Sequence, residues 1–147
     1  MKRIMLVLFY LLSMSICDDI SYSGDNVYPD IVARVERVYD GDTIFVDIPN
    51  IPEAFGNELG IRIHSIDTPE IKGKCDKEKQ LAQDAKQFVE NLIKKDQFIV
   101  LKNVTRDKYF RLEADIYFTD GTNLSDLLIK SNLAYPYDGK LKRSWCD

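Results

Sequence analysis

Three short clusters hold the residue types that could do chemistry. Asp40-Gly41-Asp42-Thr43 lies at a turn between apolar runs. Arg62 to Glu70 reads Arg-Ile-His-Ser-Ile-Asp-Thr-Pro-Glu. Asp107-Lys108-Tyr109-Phe110-Arg111 falls between two further runs. Each alone has an ordinary explanation: Asp and Gly favour turns, and a strand arginine is commonly a surface ion-pair partner. Together they form a set. Asp42 and Asp67 offer hard oxygens at neighbouring strand ends. The Thr68 carbonyl offers a third, because Pro69 disfavours helical geometry at Thr68. Such donors, with no soft Cys or His ligand, favour calcium or magnesium over zinc. Asp40 does not open an EF-hand, since no Gly and Glu follow at the required offsets.

Arg62 and Arg111 supply the other half. A guanidinium matches two phosphate oxygens and keeps its charge at any working pH. Negative charge builds on the phosphoryl oxygens when water attacks a phosphodiester, and a divalent ion with two arginines would stabilise it. Glu70 could orient or deprotonate that water. No nucleophilic Ser or Cys constellation is present, so attack by water is preferred. The sole histidine, His64, sits between isoleucine-bearing positions and is not expected to be catalytic.

These residues must be placed by surrounding elements. Ile31 to Val38 is β-rich, and Tyr39-Asp40-Gly41-Asp42 breaks it as a turn. Thr43 to Ile48 resumes as a strand, and Pro49 to Leu59 is a loop. Gly60 to Ile66 predicts a third strand. Asp76 to Lys95 predicts a helix, with Leu81, Ala82, Ala85, Phe88, Val89, Leu92 and Ile93 at helical spacing. Phe98–Lys102 and Arg111–Phe118 predict a strand pair around the connection 103–110. Asn123 to Leu133 predicts a second helix, capped by Asn123 or Thr122. The order β-β-β-α-β-β-α makes an α+β, mainly β domain with a chiefly antiparallel sheet. A five-stranded OB-type barrel with two to three packed helices is the natural closure, because a flat sheet would leave unprotected edges.

The chain has 147 residues, 45% hydrophobic and 30% charged, which suits one domain. Lys2 and Arg3, the apolar run Ile4–Leu12, the small residues to Cys17 and then Asp18-Asp19 make residues 1–17 a signal peptide. Residues 18–30 are a polar leader, and 31–147 form the domain. The expected location is therefore secreted or periplasmic. The apolar run is short for a membrane span, and lipid anchoring at Cys17 is disfavoured by the large Ile16 before it. Loss of Lys2 and Arg3 takes the 20 basic residues to 18 against 24 acidic, a net of −6. So acidic a protein is a poor passive binder of polyanions, and any nucleic-acid chemistry must come from a local site. Cys75 and Cys146 remain. An even pair in an exported protein points to one disulfide rather than two buried thiols.

In order and internal spacing these clusters resemble the signature of the staphylococcal nuclease (thermonuclease) family: Asp40-Gly41-Asp42-Thr43, Arg62, Asp67-Thr68-Pro69-Glu70 and Asp107-Lys108-Tyr109-x-Arg111. The stretches Ile71–Cys75 and Ser144-Trp145-Cys146 look like the exported bacterial branch. The resemblance covers roughly 31–137. It implies an OB-type barrel and calcium held by Asp42, Asp67 and the Thr68 carbonyl. It implies Arg62 and Arg111 on the phosphate, Glu70 as base or water organiser, and Lys108 and Tyr109 at the terminal phosphate of the nucleotide. It further implies hydrolysis of DNA or RNA to 3′-phosphate products. Phe110 stands where the type enzyme has Gly, and the 49–59 connection is longer and carries Glu53 and Glu58. A barrel that only binds nucleic acid or protein is the alternative, but such domains lose a carboxylate or an arginine, and none is missing here. An exported calcium-binding structural protein would leave both arginines without a reason. A monomer is the default for so small a secreted protein.

Overall fold

The computed structural model describes residues 28–109 and 111–147. The expected signal peptide 1–17, Cys17, most of the leader and Phe110 therefore lie outside the described residues. Five strands close a barrel in the order β1 (Ile31–Val38), β2 (Thr43–Asp47), β3 (Leu59–Ile63), β6 (Leu112–Tyr117), β5 (Phe98–Arg106) and back to β1. All neighbours are antiparallel except β3 and β6. Each barrel strand sends alternate side chains inward: Ala33 and Val35, Ile44 and Val46, Ile61 and Ile63, Ile99 and Leu101, Ala114 and Ile116 are all buried. That is the two-residue period of a strand with one wet face. Each fully buried Ile, Leu or Val contributes roughly 1.5–3 kcal/mol. Register shifts between Val35 and Arg37 in β1, and between Lys102 and Thr105 in β5, add the local bend that lets so few strands close.

Closure answers the edge problem posed by the sequence, and the α+β barrel is the expected one. The element boundaries differ in instructive ways. The strand expected over 60–66 is broken, because Ser65 adopts φ 59°. Beyond it a short β4 (Ile66–Asp67) pairs with β7 (Tyr135–Pro136). The 49–59 connection contains a one-turn helix, α1 (Glu53–Gly56). The long helix α2 (Asp76–Leu92) stops before Lys95, because Ile93 turns to extended backbone to enter the core and Asp96 takes φ 65°. The Asp96 amide then donates to the Val35 carbonyl, which starts the pairing of β5 with β1. β5 runs on to Arg106, and just beyond it the Asp107 amide donates to the Arg111 carbonyl at 2.9 Å. Helix α3 (Leu124–Lys130) is capped by Asn123, whose side chain accepts from the Ser125 amide at 2.7 Å.

The helices close the core. Ala82, Ala85 and Val89 of α2, and Leu124 and Leu128 of α3, are buried. Cys75 and Cys146 form a disulfide, with Cα atoms 6.0 Å apart across a separation of 71 residues. Among the described residues no helix is long and apolar enough to cross a membrane.

Candidate active site

Asp42 enters the site from the turn between β1 and β2, and it is only 3% exposed. A carboxylate so buried needs partners, and it has four. Oδ1 accepts from the Arg62 guanidinium and from Thr43 Oγ1 at 3.2 Å. Oδ2 accepts from the Thr68 hydroxyl at 2.9 Å and the Thr68 amide at 3.3 Å. The turn is thereby joined to the end of β4, and Asp67 stands one residue from the group that Asp42 holds. The backbone repeats the join, with the Ile63 amide donating to the Asp42 carbonyl at 2.8 Å. Gly41 makes the approach possible. A Cβ there would lie 2.9 Å from Ala85 Cβ and 3.1 Å from the Thr68 side chain. Burial, and then the Asp42 carboxylate beside it, push the Asp40 carboxyl up to about 6.

Arg62 sits mid-β3, between Thr43 and Glu113 of the neighbouring strands. Its second nitrogen donates to the Ile66 carbonyl at 3.3 Å. Arg111 arrives from the β5–β6 hairpin. There Asp107 receives its Nε at 2.7 Å, its Nη2 at 2.7 Å and its backbone amide at 2.8 Å. Burial works to raise the Asp107 carboxyl, but the Arg111 amide and guanidinium and the Tyr109 amide outweigh it and hold it below the usual range. Arg62 and Arg111 line one cleft of about 310 Å³ with Tyr39, Asp40, Asp42, Thr43, Phe45 and Glu70. Lys108 and Tyr109 do not line it. They stand at the adjoining hairpin tip, with Tyr109 exposed and the Arg111 guanidinium 5.6 Å from its ring centre. His64 is also outside, 3.0 Å from Thr105 Oγ1 on β5.

Asp67 is 3% exposed and lies at the end of β4. The Trp145 indole donates to its Oδ2 at 3.3 Å. Its Oδ1 accepts no hydrogen bond, although the Lys142 ammonium is 2.6 Å away. That contact is an ion pair. Lys142 also reaches Glu70 Oε1 at 2.7 Å. Burial tends to lower the Lys142 ammonium's pKa, but Asp67 and Glu70 outweigh it and hold it above the ordinary lysine value. Glu70 borders the first cleft and a second of about 340 Å³, walled by Lys72–Lys74 and Lys142–Cys146. Its loop is held by Glu78, a buried helix residue that accepts from the Lys74 amide at 2.8 Å and the Glu70 amide at 3.4 Å.

The donor set suits a hard divalent ion. Asp42 and Asp67 are both buried carboxylates, Asp42 lining the first cleft and Asp67 the second, and one Asp67 oxygen lacks a hydrogen bond. Among the described residues no three of the Asp and Glu side chains here bring oxygens within 4.8 Å of one another. An ion would therefore lean on carbonyl and water ligands as well, which calcium tolerates better than most. Lys142, Trp145 and Glu78 were not singled out from the sequence. Of the three, only Trp145 falls in a stretch, Ser144-Trp145-Cys146, that carries part of the family resemblance.

A five-stranded OB-like barrel with carboxylates and guanidinium groups at one cleft defines the class of molecule. Residues 60–144 match the family described as staphylococcal nuclease homologue, more than half of the chain, and the chain belongs to that family. The match takes in Arg62, Asp67, Thr68, Glu70, Cys75, Lys108, Tyr109 and Arg111, while the Asp42 turn precedes it. The chain is 31% identical, over 74% of its length, to two proteins each called an uncharacterized endonuclease, from Escherichia coli O157:H7 and Escherichia coli. It spans 63% of the length of these curated relatives.

Proposed function

We propose that this chain is a calcium-dependent nuclease that hydrolyses phosphodiester bonds of DNA or RNA by attack of water and leaves 3′-phosphate ends. The observation that carries the reading is the sharing of one cleft by Arg62, Arg111, Asp42 and Glu70. Guanidinium groups at a carboxylate cleft in an acidic protein suit an anionic substrate that is bound locally and released. Family membership and the printed names of the relatives support a nuclease.

In this reading Asp42, Asp67 and the Thr68 carbonyl hold the ion. When bound, calcium supplies positive charge to the phosphoryl oxygens. Arg62, aligned by Asp42 and the Ile66 carbonyl, grips the phosphate on one side. Arg111, swung from Asp107, grips it on the other, and charge building in the transition state meets two fixed forks. Glu70 holds the attacking water and takes up its proton. Lys108 and Tyr109 extend the contact toward a terminal phosphate. The protein works as a monomer outside the cytoplasm after loss of residues 1–17, and N-terminal sequencing of exported protein checks that boundary.

The test is hydrolysis of single- and double-stranded DNA and RNA with calcium, with magnesium and with a chelator. Cleavage with calcium, its loss with chelator and 3′-phosphate termini are expected. Equal cleavage in chelator, or binding without any turnover, would remove the reading.

A further inference from the structure

Lys142 does something in this fold that neither the family signature nor the proposed reaction accounts for. It lies on the segment that follows β7, and that segment is fixed at both ends. At one end the Tyr137 amide donates to the Ser65 carbonyl at 2.8 Å. At the other, Trp145 is buried, stacks on Tyr135 with ring centres 4.1 Å apart, and donates to Asp67. Cys146 is bonded to Cys75 at the head of α2. A chain held this way delivers the ammonium of Lys142 to one place. It lies 2.6 Å from Asp67 Oδ1 and 2.7 Å from Glu70 Oε1. The first contact is an ion pair to a buried carboxylate oxygen, the kind of partner that another cation can replace.

We propose that Lys142 is a positioning residue that acts as the built-in counter-ion of Asp67 and Glu70, and that a divalent ion binds by displacing its ammonium from Asp67. This rests on the proposed metal site. Two cations cannot share the buried Asp67 oxygen without strong repulsion, so ion and ammonium exclude one another there. Before the ion arrives, Lys142 keeps the buried carboxylate compensated, which an isolated buried charge requires. Once displaced, it still reaches Glu70 from the same tethered segment. The C-terminal segment therefore sets how much metal the site demands.

Terbium luminescence tests this without recourse to activity. Trp145 is the only tryptophan in the chain and touches Asp67, so Tb3+ at Asp67 is sensitised by it, and calcium affinity is read by competition. Full-length parent, Lys142→Gln and Lys140→Gln are compared. Lys140 is the charge control, pairing with Asp138 at 3.3 Å and exposed. Lys142→Gln is expected to bind calcium roughly tenfold more tightly or better, because a unit charge within a few ångströms is removed, while Lys140→Gln stays at the parent value. Equal affinities of parent and Lys142→Gln overturn the inference and leave the nuclease reading standing. So does an equal gain in Lys140→Gln, which would make the effect one of bulk charge. Absence of a sensitised signal from every protein, at any terbium concentration, removes the metal site itself and the inference with it.

Discussion

Glu70 is the residue whose role is easiest to separate from the fold. Its side chain is more than half exposed and, among the described residues, ion-pairs with Lys142 alone, so Glu70→Gln keeps the barrel intact. A loss of kcat of roughly 10²-fold or more is expected, in line with general-base catalysis by a positioned carboxylate, with calcium affinity changed much less. Single-turnover hydrolysis beside a calcium titration checks this, and an unchanged kcat would reassign the base. The residues with obvious chemistry were legible from the sequence because their neighbours are fixed by short-range rules: Asp42 in a turn, Thr68 before Pro69, Arg111 close to Asp107. The residues that support them were not. Lys142 stands 72 positions from Glu70, and nothing in its own neighbourhood marks it out from solvated charge. Glu78 lies in a run of Lys and Glu on a helix start, the pattern of a wet face, and is buried where the 70–74 loop and Cys146 of the C-terminal segment pack over it.

At the scale of elements, the site is made by three close joins. The first is the turn between β1 and β2 pressed on α2. Gly41→Ala places a methyl 2.9 Å from Ala85 Cβ and 3.1 Å from Thr68. Overpacking of this kind costs roughly 1–3 kcal/mol, and here it also pushes on the threonine that bonds Asp42. Urea unfolding should show that loss, and calcium binding should weaken with it. Wild-type values in both would mean that the turn has slack. The second join is the Ser65 break, which the periodicity of Gly60–Ile66 hid: seven residues of strand-like pattern carry no mark of a left-handed residue within them. The break turns Asp67 from a barrel strand toward β7. The third is the disulfide. Closing a 71-residue separation stabilises by about 4 kcal/mol in the chain-entropy model. A Cys75→Ser, Cys146→Ser double variant should lose stability of that order in urea. No loss would mean that Trp145 and Tyr135 hold the tail unaided. Strand alternation and the apolar stripe of α2 gave away the barrel and its helices, whereas boundaries such as the end of α2 depend on how Ile93 and Asp96 meet β1, which no local pattern records.

Across the whole molecule, an acidic chain gathers its useful positive charge at two clefts that share Glu70. Arg62 from β3 and Arg111 from a hairpin line one cleft with Asp42 and Glu70, and Lys142 from the C-terminal segment lines a second with Asp67 and Glu70. The claim that the first cleft handles a phosphate stands or falls on Arg62, whose fork a lysine cannot copy. The measurement is kcat/KM for DNA hydrolysis in calcium for parent and Arg62→Lys, with thermal unfolding and calcium affinity alongside. A fall of roughly 10²–10³-fold or more is predicted, the size associated with removing a transition-state donor, with melting temperature and calcium affinity near the parent values. An Arg62→Lys variant that cuts DNA as fast as the parent would contradict the account.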